Sequence, residues 1–241
     1  MSIINWRTLR VLLASALVTF LALEFQIAYN VDLTLLSIAI VFPLVFSIRG
    51  SFRRREKALQ HFSQFRSALK TLSYYIGSNE ALPQEQKNHM AGLLSSISDK
   101  TIEHLGRNDP STKAVDESIN HIHEYLLELG ALAPVKLKDR VFRFLNDLHE
   151  GFENLHAINI HRTPVSLKAY CLIFIYLFPL VYAPNILMNI GTTHPDIVVF
   201  FIVLLTQFIL VTLYNIQDQL EYPFDEDGLD DIKLQNFKID R

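Results

Sequence analysis

The sequence predicts an all-α membrane protein in which a four-transmembrane-helix protomer carries a helical cytoplasmic domain. Three observations predict it. The chain of 241 residues is 50% hydrophobic, and its apolar residues gather into four long runs. Between the second and third runs the pattern changes to amphipathic helix, with no strand-like alternation of useful length. Its mean hydropathy of +0.21 is high for a water-soluble domain and low for a chain lying wholly in lipid, so part of it belongs in water.

The four runs lie at about residues 9–29, 33–48, 167–190 and 197–216, and they pair into transmembrane hairpins over 1–48 and 167–216. Each is long enough, or nearly so, for the roughly 20 residues that cross a bilayer. The second is the shortest, so its helix has room to continue past the lipid. The first follows Arg7 and Arg10 as a secretion signal would, but no small-residue cleavage site follows Leu23-Glu24-Phe25, and it reads as a retained helix. Asn30-Val31-Asp32 and Gly191-Thr192-Thr193-His194-Pro195-Asp196, the short connections within the two hairpins, carry no Lys or Arg. At the opposite ends of the runs stand Arg7, Arg10, Arg49, Arg53, Arg54, Arg55, Lys57, Arg162 and Lys168. By the positive-inside rule both termini and the central segment face the cytoplasm.

The central segment, 49–166, reads as soluble helices. Phe62, Phe65, Leu69, Leu72 and Ile76 recur at helical spacing until Gly77-Ser78-Asn79 stops them. A second helix begins after Pro83, and Asn108-Asp109-Pro110-Ser111 precedes a third carrying Ile119, Ile122, Leu126 and Leu129, which Gly130 ends. A fourth, with Val141, Phe144, Leu145, Leu148 and Phe152, leads to Thr163-Pro164 and the third span. Residues 217–241 form an acidic cytoplasmic tail.

Several functions are disfavoured. A net charge of −3 with basic residues beside the spans argues topology, not nucleic-acid binding. A single cysteine, Cys171, excludes a disulfide framework. There is no Gly-x-Ser-x-Gly elbow, His-Glu-x-x-His helix or Gly-rich phosphate loop, so an enzyme is not expected. His121 and His123 diverge on a helix, and His149, Glu153 and His156 share a face without a fourth ligand, so all read as surface or core residues. Glu24 is an ionisable group within the first apolar run, and it either lines an outer vestibule or reaches the interface.

In the second run Ile38, Phe42 and Phe46 recur every four residues and form one stripe. On an arbitrary membrane helix such a stripe is usually packing. Three separated segments, however, resemble bestrophins and their bacterial relatives. The run Leu36-Ser37-Ile38-Ala39-Ile40-Val41-Phe42-Pro43-Leu44-Val45-Phe46, followed by Arg49, Phe52, Arg54 and Ala58, is similar to that family's pore helix. Arg162-Thr163-Pro164-Val165-Ser166-Leu167-Lys168-Ala169-Tyr170 resembles the start of its third span. Gln219-Leu220-Glu221-Tyr222-Pro223-Phe224-Asp225-Glu226-Asp227-Gly228-Leu229-Asp230-Asp231 resembles its acidic segment centred on Asn-Pro-Phe-Gly or Asp-Pro-Phe-Gly. Departures occur at Arg55-Glu56, where a tryptophan pair is usual, at Ser166 in place of a proline, and at Asp225 in place of a glycine.

The resemblance implies a homopentamer embedded in a lipid bilayer, in a bacterial inner membrane, with the second helices of five protomers around a central pore. Ile38, Phe42 and Phe46 are then its hydrophobic neck, which controls conduction by how readily it holds water. Arg49, Arg53, Arg54 and Arg55 either attract anions to the inner mouth or fix topology against anionic lipid. Chloride, bicarbonate or a similar monovalent anion is the expected permeant species, and no cofactor is required. Five acidic side chains fall within Asp225–Asp231. The resemblance implies a calcium clasp made by Gln219, the Tyr222 carbonyl, Asp227 and Asp230, and the alternative is a solvated acidic turn paired with the basic cluster. The rival to a channel is a non-conducting membrane scaffold or sensor whose helical domain binds a partner.

Overall fold

A computed structural model describes residues 3–107, 109–130, 134–190 and 194–239, so the connection at 191–196 and the break at Asn108 fall partly outside the described residues. Among the described residues seven α-helices follow one another: α1 (Trp6–Glu24), α2 (Thr34–Gly77), α3 (Gln84–Arg107), α4 (Lys113–Glu128), α5 (Val135–Ile160), α6 (Val165–Ile190) and α7 (Asp196–Leu220). A short 3-10 helix, Leu234–Phe237, comes last, and no strand occurs among the described residues. Four of these helices have stretches long and apolar enough to cross a membrane: α1, α2, α6 and α7. The chain is an integral membrane protein.

The residues divide into two compact units, Met1–Arg53 with Thr163–Glu221, and Arg54–Arg162 with Tyr222–Arg241. In the first, α1 begins with a reciprocal cap: Thr8 N–H donates to Asn5 Oδ1 at 3.1 Å and Asn5 N–H to Thr8 Oγ1 at 3.3 Å. The helix stops at Glu24, short of the expected 29, because Gln26 takes a left-handed backbone (φ 51°) that no helix can continue. Apolar composition persists past that point although the helix does not. The extended residues that follow are tied to α6, with the Asn185 amide donating to the Val31 carbonyl at 2.7 Å. Glu24 is accordingly an exposed helix-terminal residue.

Val11 of α1, Cys171 and Ile175 of α6, and Leu210, Val211 and Tyr214 of α7 form a common core, which Ile40 and Leu44 of α2 complete. A second cluster joins Ala22, Ala183, Val199 and Val203. α7 runs to Leu220, beyond the expected 216, because its polar last turn finds partners. Asp218 accepts from Arg7 at 3.0 Å and from Lys168 at 2.7 Å, and Lys168 also meets Glu221 at 2.8 Å.

α2 is one uninterrupted helix of 44 residues, and only its first part is apolar. At 1.5 Å per residue it is about 66 Å long, twice a hydrocarbon core of roughly 30 Å, so residues 33–48 are the beginning of a longer element. In the second unit its Phe62, Phe65, Leu69 and Leu72 are buried against Leu94 and Ile97 of α3, Ile122 of α4 and Phe152 of α5. α2 and α5 approach closely where α5 carries Gly151, since a Cβ there would lie 3.2 Å from that of Phe65. Residues 222–239 do not stand apart as a tail: Phe224, Ile232 and Leu234 are buried in this core. Residues 217–221, by contrast, belong to the first unit. Hydrophobic residues at 224, 232 and 234 hold this part of the acidic tail against the core.

Candidate functional site

The stripe on α2 is about half exposed among the described residues. Ile38 is 46%, Phe42 55% and Phe46 60% exposed, and the two phenyl rings lie 6.1 Å apart, tilted by 40°. Ile40, Leu44, Ser47 and Ser51 of the same helix are buried. At about 100° per residue the mean directions of the two sets differ by about 170°, so α2 turns one face into its bundle and the stripe away from it. The exposed arc also carries Leu35, Val41 and Val45, and Arg49 follows the apolar part directly. An apolar surface of this width needs cover from lipid or from other copies.

Pro43 sits inside this segment and has no N–H to give the Ala39 carbonyl. The Tyr170 hydroxyl of α6 donates to that carbonyl at 3.1 Å. Pro184 of α6 likewise frees the Leu180 carbonyl, to which the Tyr29 hydroxyl donates at 2.9 Å. Non-helical hydrogen bonding inside a span is tolerated only with such replacement.

The four arginines separate into two kinds. Arg49 and Arg53 are exposed, whereas Arg54 and Arg55 are half-buried. Arg54 donates to the His161 carbonyl and Arg55 Nε to the Asp230 carbonyl, so their guanidinium groups are engaged by backbone.

In the acidic segment, Ile232 N–H donates to the Pro223 carbonyl at 2.9 Å and closes a loop whose Phe224 packs edge-on against Phe62. Gly228 N–H donates to Asp231 Oδ2 at 2.6 Å, and a side chain at 228 would collide with that carboxylate. Burial, and then the carboxyl of Asp225, push Asp231 up to about 7. Asp227 and Asp230 are exposed, and the Arg162 guanidinium lies 4.1 Å from the Tyr222 ring centre. Gln219, in the last turn of α7, is half-buried in the other unit.

Of the histidines, His104 Nε2 lies 2.9 Å from His156 Nδ1, while His121 and His123 are exposed. Sequence reasoning missed the Arg7, Lys168, Asp218 and Glu221 network. Its signal was present in two acidic residues three apart at the end of an apolar run, facing a positive charge at the start of two others.

No protein-family signature matches the chain, and no curated protein sequence matches it significantly. Solved structures do. A bacterial bestrophin homologue from Klebsiella pneumoniae, in a structure obtained by zinc phasing, is 16% identical, with a TM-score of 0.76 over 96% of this chain and 93% of that one. Two single-substitution variants of that homologue superpose with TM-scores of 0.78 at 15% identity and 0.81 at 14% identity, the first over 96% of this chain and 93% of that one, the second over 95% and 92%. Four apolar helices, an exposed stripe on α2 and coverage of both units meet in one conclusion: the chain has the fold of the bacterial bestrophin homologues.

Proposed function

We propose that the chain assembles as a homopentamer in which α2 of each copy lines a pore for monovalent anions such as chloride or bicarbonate. The observation that carries this reading is the open face of α2. Ile38, Phe42 and Phe46 are each about half exposed on a helix whose opposite face is fully buried, so the stripe is not the bundle's own packing. The fold shared with the bestrophin homologues supports assembly around such a helix. A neck of isoleucine and phenylalanine passes ions when wet and blocks them when dry. Aromatic ring edges are positive, so phenyl groups edge-on to the axis favour anions. Exposed Arg49 and Arg53 follow the neck and raise the local anion concentration. The asymmetry of basic residues puts both termini in the cytoplasm.

Planar-bilayer recording tests the neck. Phe42→Ala with Phe46→Ala increases anion current, and unchanged conductance in an oligomer verified by imaging along its symmetry axis removes these residues from the gate. A monomer or dimer in detergent supports the non-conducting scaffold instead. Calcium on Asp227 and Asp230 is proposed from the resemblance and is tested by melting. Ca2+ raises the Tm of the native protein and not of Asp227→Ala/Asp230→Ala, and no shift in the native protein leaves the loop as a structural partner of Arg55.

A further inference from the structure

The helical unit brings together three metal-ligating side chains from two helices. His149 and Glu153 are four residues apart on α5 and therefore stand on one face. Asp116, in the first turn of α4, meets them, and one ligand atom from each of the three lies within 4.8 Å of the other two. His149 Nε2 is 3.5 Å from Asp116 Oδ1. That oxygen is shielded from solvent and has no hydrogen-bond partner among the described residues, although the Asp116 side chain as a whole is 37% exposed. A shielded carboxylate oxygen without a hydrogen-bond donor is costly and calls for positive charge beside it, which an imidazolium or a metal ion supplies.

The spacing suits a metal ion. Two ligands bonded to one tetrahedral ion at about 2.0–2.1 Å are about 3.3–3.4 Å apart and make no hydrogen bond to each other. Asp116 and His149 stand near this separation at 3.5 Å, and the Glu153 carboxylate, whose ligand atom lies within 4.8 Å of both, comes to the third corner with a small side-chain rotation. An imidazole nitrogen with two carboxylate oxygens suits a borderline ion of the zinc class, whereas calcium takes six to eight oxygens. A groove of 480 Å³, lined by Asp116, Ile119, Asn120, His123, Phe142 and His149 among others, leads to the cluster and leaves space for a water as fourth ligand.

We propose that Asp116, His149 and Glu153 form a binding site for a divalent transition-metal ion of the zinc class, fastening α4 to α5. The site lies wholly within the helical unit and does not depend on conduction or on the acidic loop.

Titration of the purified full-length protein with Zn2+ by calorimetry, and with Co2+ by visible absorption, tests it. The expected result is one ion per chain with tetrahedral Co2+ bands, and at least tenfold weaker binding after Asp116→Asn or His149→Ala. Glu153→Gln, at an exposed position of nearly unchanged shape, weakens binding in the same direction and serves if the other variants fold poorly. His121→Ala, an exposed histidine outside the cluster, leaves the affinity unchanged. No saturable binding by the native protein overturns the proposal, as does binding that all three site variants retain.

Discussion

The Tyr170 hydroxyl donates to the Ala39 carbonyl at 3.1 Å, supplying from α6 the hydrogen bond that Pro43 removes from α2. Tyr29 does the same for the Leu180 carbonyl, which Pro184 leaves free. Two prolines within apolar helices thus have tyrosine donors from elsewhere in the same unit. One of these pairs is one residue from Phe42, so it also holds the backbone of the proposed neck.

Tyr170→Phe is expected to destabilise the protein by about 1 kcal/mol, the net worth of a hydrogen bond whose loss leaves an acceptor without a donor. The same change in a Pro43→Ala background costs much less, because residue 43 then donates to Ala39 itself. Apparent melting temperatures of the four proteins form the double-mutant cycle, and additive effects would separate the tyrosine from the proline.

Lys168 is 18% exposed and lies between Asp218 and Glu221, of which Glu221 is 1% exposed. Lys168→Met leaves buried carboxylate charge uncompensated and is expected to cost about 3 kcal/mol. Arg7→Met costs less, since Arg7 is more exposed at 28% and Asp218 keeps Lys168. Thermal denaturation in detergent ranks the two variants, and a larger loss from Arg7→Met would contradict this assignment.

The elements most legible in the sequence are those fixed by local composition. Gly77 and Pro83 bracket a helix end and a helix start because backbone preference acts at the residue itself. The periodicity of Ile38, Phe42 and Phe46 marks a face in the same way. What stayed hidden depends on distant partners. Tyr170 and Ala39 are 131 positions apart, and nothing near either tyrosine announces which carbonyl it will satisfy. Asp116 joins His149 and Glu153 only because α4 packs beside α5, while His156, which spacing puts on the same face, meets His104 instead. The acidic residues at 225–231 obscured Phe224, whose burial holds the segment in the helical unit.

Gln207 of α7 is 0% exposed, and neither polar atom of its side chain has a hydrogen-bond partner among the described residues. Gln207→Leu removes both unsatisfied groups and shortens the side chain by one heavy atom. The variant is expected to be more stable by about 1–3 kcal/mol, the range for an unpaired buried polar group. A higher melting temperature with unchanged oligomeric state is the expected outcome. A lower one would show that the amide holds a partner, such as an internal water, that the leucine cannot replace.

His104 is 6% exposed and lies 2.9 Å from His156 across a ring-to-ring hydrogen bond, with Phe152 5.2 Å away edge-on. Burial, and then the neighbouring His156, lower its affinity for a proton below the ordinary value of 6.5, and Asp109 and Asp116 oppose the shift only in part. With the folded value lowered, the unfolded chain takes up the proton first as pH falls. Stability is therefore complete above about pH 6.5–7, declines as pH falls through the unfolded value, and levels off once folded His104 is itself protonated. Melting temperature is expected to be lower at pH 5 than at pH 8 on this account. His104→Gln retains a polar side chain without a titrating ring and should flatten that part of the profile. If the native and variant proteins lose stability in parallel, the pH dependence belongs to other groups.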